Sequence, residues 1–114
     1  MPLIFSYGSL QQRDVQLALL QRTLDGQEDL LRRFALGSVP IEDAAVAARV
    51  GRTAHLNAVY TDENADAVSG TAFEITDEEL QRIDVFEAEF SYARVPVVLA
   101  SGRGAWVYVH DPAA

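Results

Sequence analysis

The chain has 114 residues, of which 49% are hydrophobic and 23% charged, and it lacks cysteine, which excludes disulfide and thiolate chemistry. Its formal net charge of −8 repels phosphate backbones, so we expect no nucleic-acid partner. No apolar run approaches the roughly 20 residues that span a bilayer, and the start of the chain lacks the basic and apolar regions of a leader, so we expect no membrane partner and a cytoplasmic location.

The first predicted elements are a strand and a helix. Residues 3–7 (LIFSY) read as a short, mostly buried strand, and Gly8 permits the backbone angles that a tight exit needs. Apolar residues then recur at helical spacing over residues 13–24, with Asp14 in the first turn, where a carboxylate meets the positive end of the helix dipole. Gly26 fits a helix stop just past this segment.

The middle of the chain gives weaker signals. The stretch DLLRRFALGSV predicts one strand leading toward Pro40. Alanine-rich IEDAAVAARVG is either a short helix or a loop, and the role of residues 41–58 stays open. HLNAVY and VSGTAFEI predict strands that the polar TDENAD joins, as a hairpin or as a wider excursion.

The last third carries the clearest local signals. Thr76, followed three residues later by Glu79, is a capping box, which predicts a helix over residues 77–86 or beyond. The strands YARVPVVLA and AWVYVH are joined by SGRG, whose two glycines indicate a hairpin turn. Because Pro96 cannot donate to a ladder, its strand lies at a sheet edge or carries a bulge. This order of elements predicts an α+β domain around a mostly antiparallel or mixed sheet.

Glu87 is the first candidate for chemistry. At about 100° per residue, it projects between Leu80 and Ile83, inside the apolar arc of the second helix. Burial of an unpaired carboxylate is costly, so one interpretation is a general acid or base with a raised pKa. The other places Glu87 past the helix, in solvent or paired with Arg94. Asp84 lies on the flank of the same arc, where an N-terminal partner or backbone donors would satisfy it.

The second candidate is the turn formed by Tyr7, Gly8, Ser9 and Leu10. Backbone N–H groups in a glycine turn before a helix point outward unpaired and can hold a carboxylate or an oxyanion, although strand-turn-helix junctions are also common without a ligand. Ser9 is not expected to be a nucleophile, because the G-x-S-x-G pattern is not met. The glycine fingerprints of nucleotide-binding loops are missing as well.

Aromatic and basic side chains on the last two strands complete the inventory. The period of two puts Tyr92 and Arg94 on one face of their strand, and Trp106 and Tyr108 on one face of theirs. Most such residues pack, but one hydroxyl or guanidinium can still reach a pocket edge. The only histidines, His55 and His110, are not at ligand spacing, so we expect no metal site.

Three segments together carry a family resemblance: FSYGSL, VSGTAFEIT and EELQRIDVFEAEFSYARVPV. In their order and spacing, the sequence resembles the gamma-glutamylcyclotransferase-like superfamily, particularly its small AIG2-like members. The resemblance implies one domain over residues 1–114, with a small mixed β-barrel of about five to seven strands and flanking helices. It also implies a cyclotransferase that needs no cofactor and releases 5-oxoproline and a free amine from a γ-glutamyl amine or γ-glutamyl peptide.

The resemblance also implies residue roles. Glu87 corresponds to the catalytic acid/base, while the substrate-binding positions are Tyr7, Gly8, Ser9, Leu10, Tyr92, Arg94 and Tyr108. Many members have glycine directly after the glutamate, whereas this chain has Ala88, and Glu89 nearby either raises the pKa of Glu87 or faces water. The alternative function is a non-catalytic small-molecule-binding or regulatory protein that keeps the cavity. The attached amine and the oligomeric state stay open.

Overall fold

The structure, a computed structural model, describes residues 1–41, 44–50 and 54–111. In chain order, its elements are β1 (Leu3–Ser6), a 3-10 helix (Ser9–Gln11), α1 (Arg13–Leu20), β2 (Gly26–Arg32), β3 (Phe34–Pro40), α2 (Ala44–Val50), β4 (Ala54–Tyr60), β5 (Ala67–Glu74), α3 (Asp77–Ala88), β6 (Tyr92–Val98) and β7 (Gly104–His110).

Five strands form a mixed sheet in the order β2-β5-β1-β7-β6, and β3 pairs with β4 in a separate two-stranded sheet. The β1–β7 pair is parallel and the other pairs are antiparallel. The predicted α+β class, with a small mixed sheet of this strand number and flanking helices, is confirmed. The sheet stays open instead of closing into a barrel.

Two layers of side chains pack on opposite faces of the five-stranded sheet, as the two-residue period of strands requires. Ile4 faces the side where α1 and α3 bury Leu20 and Ile83, whereas its neighbour Phe5 faces the other cluster. Ala58 of β4 belongs to that second cluster. The two helices thus cover one face, and the two-stranded sheet packs against the other.

The first helix ends earlier than predicted, at Leu20 rather than at residue 24. Gln21 adopts the left-handed conformation with φ of 61°, and the buried side chain of Gln16 accepts a hydrogen bond from the N–H of Leu24 over 2.8 Å. Gly26 is therefore not the helix stop but the first residue of β2. A glycine is needed there because a Cβ would lie 2.5 Å from the side chain of Phe73.

The predicted single strand over DLLRRFALGSV is wrong, because it breaks at Arg33, whose φ is 68°. This left-handed residue lets β2 pair with β5 while β3 turns away to pair with β4. The carbonyl of Arg33 accepts hydrogen bonds from the N–H groups of Thr61 and Asp62, at 2.7 and 3.3 Å. These hydrogen bonds connect the break between β2 and β3 to the segment that follows β4.

HLNAVY and VSGTAFEI form β4 and β5, but they are not partners in a hairpin. The wider excursion is the alternative that is confirmed, since β4 pairs with β3 and β5 pairs with β2 and β1. Of the helix and loop alternatives for IEDAAVAARVG, the helix is confirmed over Ala44–Val50. Residues 42, 43 and 51 of that stretch lie outside the described residues.

The C-terminal predictions hold most closely. The hydroxyl of Thr76 accepts a hydrogen bond from the N–H of Glu79 over 3.1 Å, and the Glu79 carboxylate accepts one from the N–H of Thr76 over 2.9 Å. The hairpin turn between β6 and β7 uses Gly102 at φ of 90°. Pro96 lies in β6, an edge strand of the sheet, as predicted.

Replacing Gly70 by alanine should destabilise the fold by about 1–3 kcal/mol, since it overpacks a tight site. Gly70 lies in β5, between β2 and β1, and an added Cβ would press on the carbonyl oxygen of Ser6 and the ring of Phe5. Gly37→Ala in β3 is the matched control, because the nearest atoms to its Cβ are 3.8 Å away. Urea denaturation measures both, and equal stabilities of the two variants would contradict this reading of Gly70.

Candidate active site

A cavity of about 300 Å³ opens where β1 ends, between this strand, α3 and the two-stranded sheet. Its lining comprises Ile4, Phe5, Ser6, Tyr7, Gly8, Ser9, Leu10, Gln12, Val15, His55, Leu56, Phe86, Glu87, Phe90, Tyr92 and Tyr108. The cavity thus brings together the first turn of the chain and the end of α3, as the sequence predicts. Of the predicted site residues, only Arg94 does not line it.

Glu87 lies in the last turn of α3 and directs a partly buried side chain into the cavity. Burial raises the pKa of Glu87 from its ordinary value of 4.5 to about 7. Within residues 1–41, 44–50 and 54–111, its carboxylate forms no hydrogen bond or ion pair. The alternative that pairs Glu87 with Arg94 is wrong, because Arg94 binds Asp84 instead.

The residues after Glu87 show whether Glu89 raises the pKa of Glu87 and whether the turn after α3 requires a glycine. Glu89 is exposed and lies 3.8 Å from the guanidinium of Arg49, and burial alone accounts for the raised pKa of Glu87. Glu89 therefore faces water. Ala88 is the last residue of α3, and the chain reverses at Ser91, whose φ is 62°, so the turn does not need a glycine directly after Glu87.

Gly8 is the residue through which the main chain meets the cavity. Its φ of −134° and ψ of −139° lie outside the left-handed region, so this turn uses no positive φ at its glycine. A Cβ there would have no atom within 4 Å. The glycine therefore leaves open space beside the N–H groups of Ser9 and Leu10, which begin the 3-10 helix and have no acceptor within it.

Tyr7 joins three strands at the cavity wall. Its hydroxyl donates to the carbonyl of Tyr108 over 2.7 Å and accepts from the N–H of Ala58 over 3.1 Å. Burial raises the pKa of Tyr7 to about 12, and the negative charge of Glu87 contributes to this rise. The neutral phenol is thus a fixed part of the wall near the Glu87 carboxylate.

Asp84, Arg94 and Tyr108 form a cluster behind the cavity. Arg94 and Tyr108 are register partners of β6 and β7, and both donate to the Asp84 carboxylate, the Arg94 Nε over 3.0 Å and the Tyr108 hydroxyl as the second donor. The expectation of an N-terminal partner or backbone donors for Asp84 is therefore wrong. Arg94 also stacks 4.3 Å above the ring of Trp106, which holds its guanidinium away from the cavity.

The family model for gamma-glutamyl cyclotransferase, AIG2-like, matches residues 4–114. The chain belongs to this AIG2-like family. A search of curated proteins finds no match.

Solved structures share the fold. The Arabidopsis thaliana protein At5g39720.1 is 22% identical, with a TM-score of 0.71 over 99% of this chain and 70% of that one. The Arabidopsis thaliana protein At3g28950.1 is 21% identical, with a TM-score of 0.67 over 96% of this chain and 61% of that one. A gamma-glutamyl cyclotransferase is 16% identical, with a TM-score of 0.69 over 96% of this chain and 66% of that one. This AIG2-like chain thus spans less than two thirds of the length of two of these structures.

Aromatic side chains that the sequence interpretation did not select form another wall of the cavity. The ring of Phe90 lies 4.8 Å from His55 and 5.5 Å from Phe86, both edge to face, and the Tyr92 hydroxyl donates to the carbonyl of Leu56 over 2.6 Å. Phe86 and Phe90 flank Glu87 in sequence, so their apolar character was a usable signal. His55 and Leu56 come from β4, and no local pattern links them to α3.

The described residues contain no group of three or more His, Asp or Glu side chains arranged to hold a metal ion. Across the same part of the chain, no helix combines the length and apolar character needed to cross a bilayer.

Three residues of the cavity lining have a shifted pKa: Tyr7, Glu87 and Tyr108. Among them, Glu87 has the pKa closest to neutral.

Proposed function

We propose that this AIG2-like protein is a cyclotransferase that releases 5-oxoproline and a free amine from a γ-glutamyl amine or γ-glutamyl peptide. The observation that carries the proposal is Glu87, a partly buried carboxyl with a pKa of about 7 in a cavity of small-molecule size. A base with a pKa near the working pH is suited to accept and return a proton in one reaction cycle.

The reaction needs no other reagent, because its electrophile and nucleophile belong to one molecule. Glu87 removes a proton from the α-ammonium group, and the amine nitrogen then attacks the γ-carbonyl carbon to form the five-membered ring. The tetrahedral intermediate collapses as its bond to the leaving amine breaks, and Glu87 returns the first proton to that amine. The ring nitrogen carries a second proton after the attack and releases it to solvent as the lactam forms. Holding the substrate in a folded conformation supplies much of the acceleration.

The cavity lining supports this assignment of roles. The N–H groups of Ser9 and Leu10, beside the open space at Gly8, are suited to hold the substrate carboxylate or the oxyanion. The aromatic wall of Phe86 and Phe90 reduces access of water, which would otherwise compete with the α-amine for the γ-carbonyl. Tyr7, Tyr92 and Tyr108 bound the same space, while Arg94 acts through Asp84 and not by contact with the substrate. The cytoplasmic location stays a prediction.

Mass spectrometry of the purified protein with a panel of γ-glutamyl amines and dipeptides tests the proposal. We expect protein-dependent 5-oxoproline, released together with an equal amount of the free amine. Release of glutamate instead would indicate a hydrolase. Calorimetric binding of a γ-glutamyl compound without any product would favour the alternative, a binding protein that keeps the cavity.

Replacing Gly8 by alanine should raise the KM for the γ-glutamyl compound roughly tenfold, because one methyl group in a pocket is worth that much in binding. The open space at its Cβ means that the added methyl group clashes with no atom of the protein. Gly104→Ala in β7 is the matched control, since its Cβ also meets nothing within 4 Å and the residue lies outside the cavity lining. Steady-state kinetics measures both variants, and an unchanged KM in Gly8→Ala would contradict close approach of the substrate to this turn.

A further inference from the structure

We propose that Asp84 is a positioning residue that holds the proton of the Tyr108 hydroxyl away from the cavity, so that the phenolic oxygen accepts a hydrogen bond from the substrate's α-ammonium group. The inference rests on the proposed function and adds to it the recognition of that group. Tyr108 lines the cavity, whereas Asp84, which accepts a hydrogen bond from its hydroxyl, does not.

The direction of the hydrogen bond follows from the chemistry of the pair. Arg94 donates its Nε–H to both oxygens of Asp84, at 3.0 and 3.2 Å, and the ion-paired carboxylate offers acceptors only. The Tyr108 hydroxyl must then be the donor, so its proton points to Asp84. The lone pairs of the phenolic oxygen are left to accept from another group.

Three elements hold this arrangement in place. Asp84 belongs to α3, and Arg94 and Tyr108 face each other across β6 and β7. The guanidinium is also fixed by its stacking on Trp106, and Tyr108 is almost fully buried. Since each partner is fixed by a second contact or by burial, the hydroxyl has little freedom to turn its proton toward the cavity.

Glu87 and Tyr108 lie close enough for the negative charge of Glu87 to affect the pKa of Tyr108. Asp84 and Glu87 are three residues apart on α3 and therefore lie on neighbouring positions of one helix face. Burial is the main cause that raises the pKa of Tyr108, but the negative charges of Asp84 and Glu87 both add to it. A substrate ammonium group between Glu87 and Tyr108 would give one N–H to each oxygen. After Glu87 removes its proton, the contact with Tyr108 would keep the amine oriented for attack.

A pair of ligands measures this recognition, with each variant made in the Glu87→Gln background so that the γ-glutamyl ligand is not turned over. L-Glutamic acid γ-anilide carries the ammonium group, and glutaric acid monoanilide lacks it. We expect Asp84→Ala to reduce the preference for the ammonium-bearing ligand, as a ratio of dissociation constants, by about tenfold, the value of one charge-assisted hydrogen bond. Tyr108→Phe should lose the same factor, and the double variant should lose no more than either single one.

Two further variants separate positioning from general stability. Asp84→Asn keeps an oxygen against Tyr108 and should retain most of the preference. Glu78→Ala removes another carboxylate of α3, one that pairs with Arg82 over 3.1 Å on the helix surface, and should leave the ligand preference unchanged.

The outcomes are distinguishable. If the wild-type protein forms 5-oxoproline but Asp84→Ala or Tyr108→Phe keeps the full ligand preference, the inference is overturned and the proposed function stands. If no γ-glutamyl compound yields 5-oxoproline, the proposed function falls, and the ratio of dissociation constants alone decides the inference. Equal affinity for both anilides in the protein with Asp84 and Tyr108 intact would overturn the inference, because the ammonium group would then not be recognised.

Discussion

Replacing Glu87 by glutamine should lower kcat for 5-oxoproline release by about 10²–10⁴-fold, the usual contribution of a positioned acid/base. Glutamine keeps the size of the side chain but cannot take the ammonium proton. In the wild-type protein, kcat/KM should rise with pH through about 7, since burial places the pKa of Glu87 there and only the ionised form is a base. The variant should lack this rise.

Glu89→Gln is the matched control for this experiment, because Glu89 follows Glu87 by two residues but is exposed. We expect it to retain both the activity and the pH profile of the wild-type protein. Chromatographic measurement of 5-oxoproline over a range of pH values compares the three proteins. Full turnover in Glu87→Gln, or the same loss in Glu89→Gln, would remove Glu87 from the role of base.

The same glutamine variant should be more stable than the wild-type protein above neutral pH, by roughly 3 kcal/mol. Burial raises the pKa of Glu87 from 4.5 in a solvated chain to about 7 in the folded state, so the folded state binds a proton that the unfolded state has lost. The contribution of Glu87 to stability is therefore fully present below pH 4.5 and declines as the pH rises to 7. Glutamine cannot ionise and avoids this decline.

Urea denaturation at about pH 5 and about pH 8 measures the effect as the difference in unfolding free energy between variant and wild type. We expect this difference to grow with pH for Glu87→Gln and to stay constant for Glu89→Gln. A difference that does not change with pH would show that the folded state does not perturb the Glu87 carboxyl. Together with the loss of turnover, the expected gain would mark Glu87 as a residue kept for activity at the expense of stability.

Local patterns account for the predictions that succeeded. The capping box of Thr76 and Glu79 located the start of α3, and Gly102 formed the predicted turn between the last two strands. The helical wheel placed Glu87 within the apolar arc, and the segment with Tyr7 and Gly8 lies across the cavity from it. Each of these signals depends on residues a few positions apart, where backbone geometry alone sets the spacing.

Other features depend on contacts that no short window contains. The strand break at Arg33 is tied by hydrogen bonds to residues 61 and 62, which follow a different strand. Gly26 is required by the side chain of Phe73 in β5, not by a helix end. The aromatic wall of the cavity joins His55 of β4 to Phe90 after α3.

The sequence by itself determined the class of fold, the helix that carries Glu87 and the position of the turn opposite it, because hydrophobic period and capping act over a few residues. Only the tertiary structure decided that Arg94 pairs with Asp84 and not with Glu87, which has no cationic partner among the residues that the structure describes. Both pairings are compatible with the sequence, since Asp84 and Glu87 lie on neighbouring helix positions. The strand register and the stacking of Arg94 on Trp106 select the first pairing, and the solvent removed around Glu87 then sets its pKa.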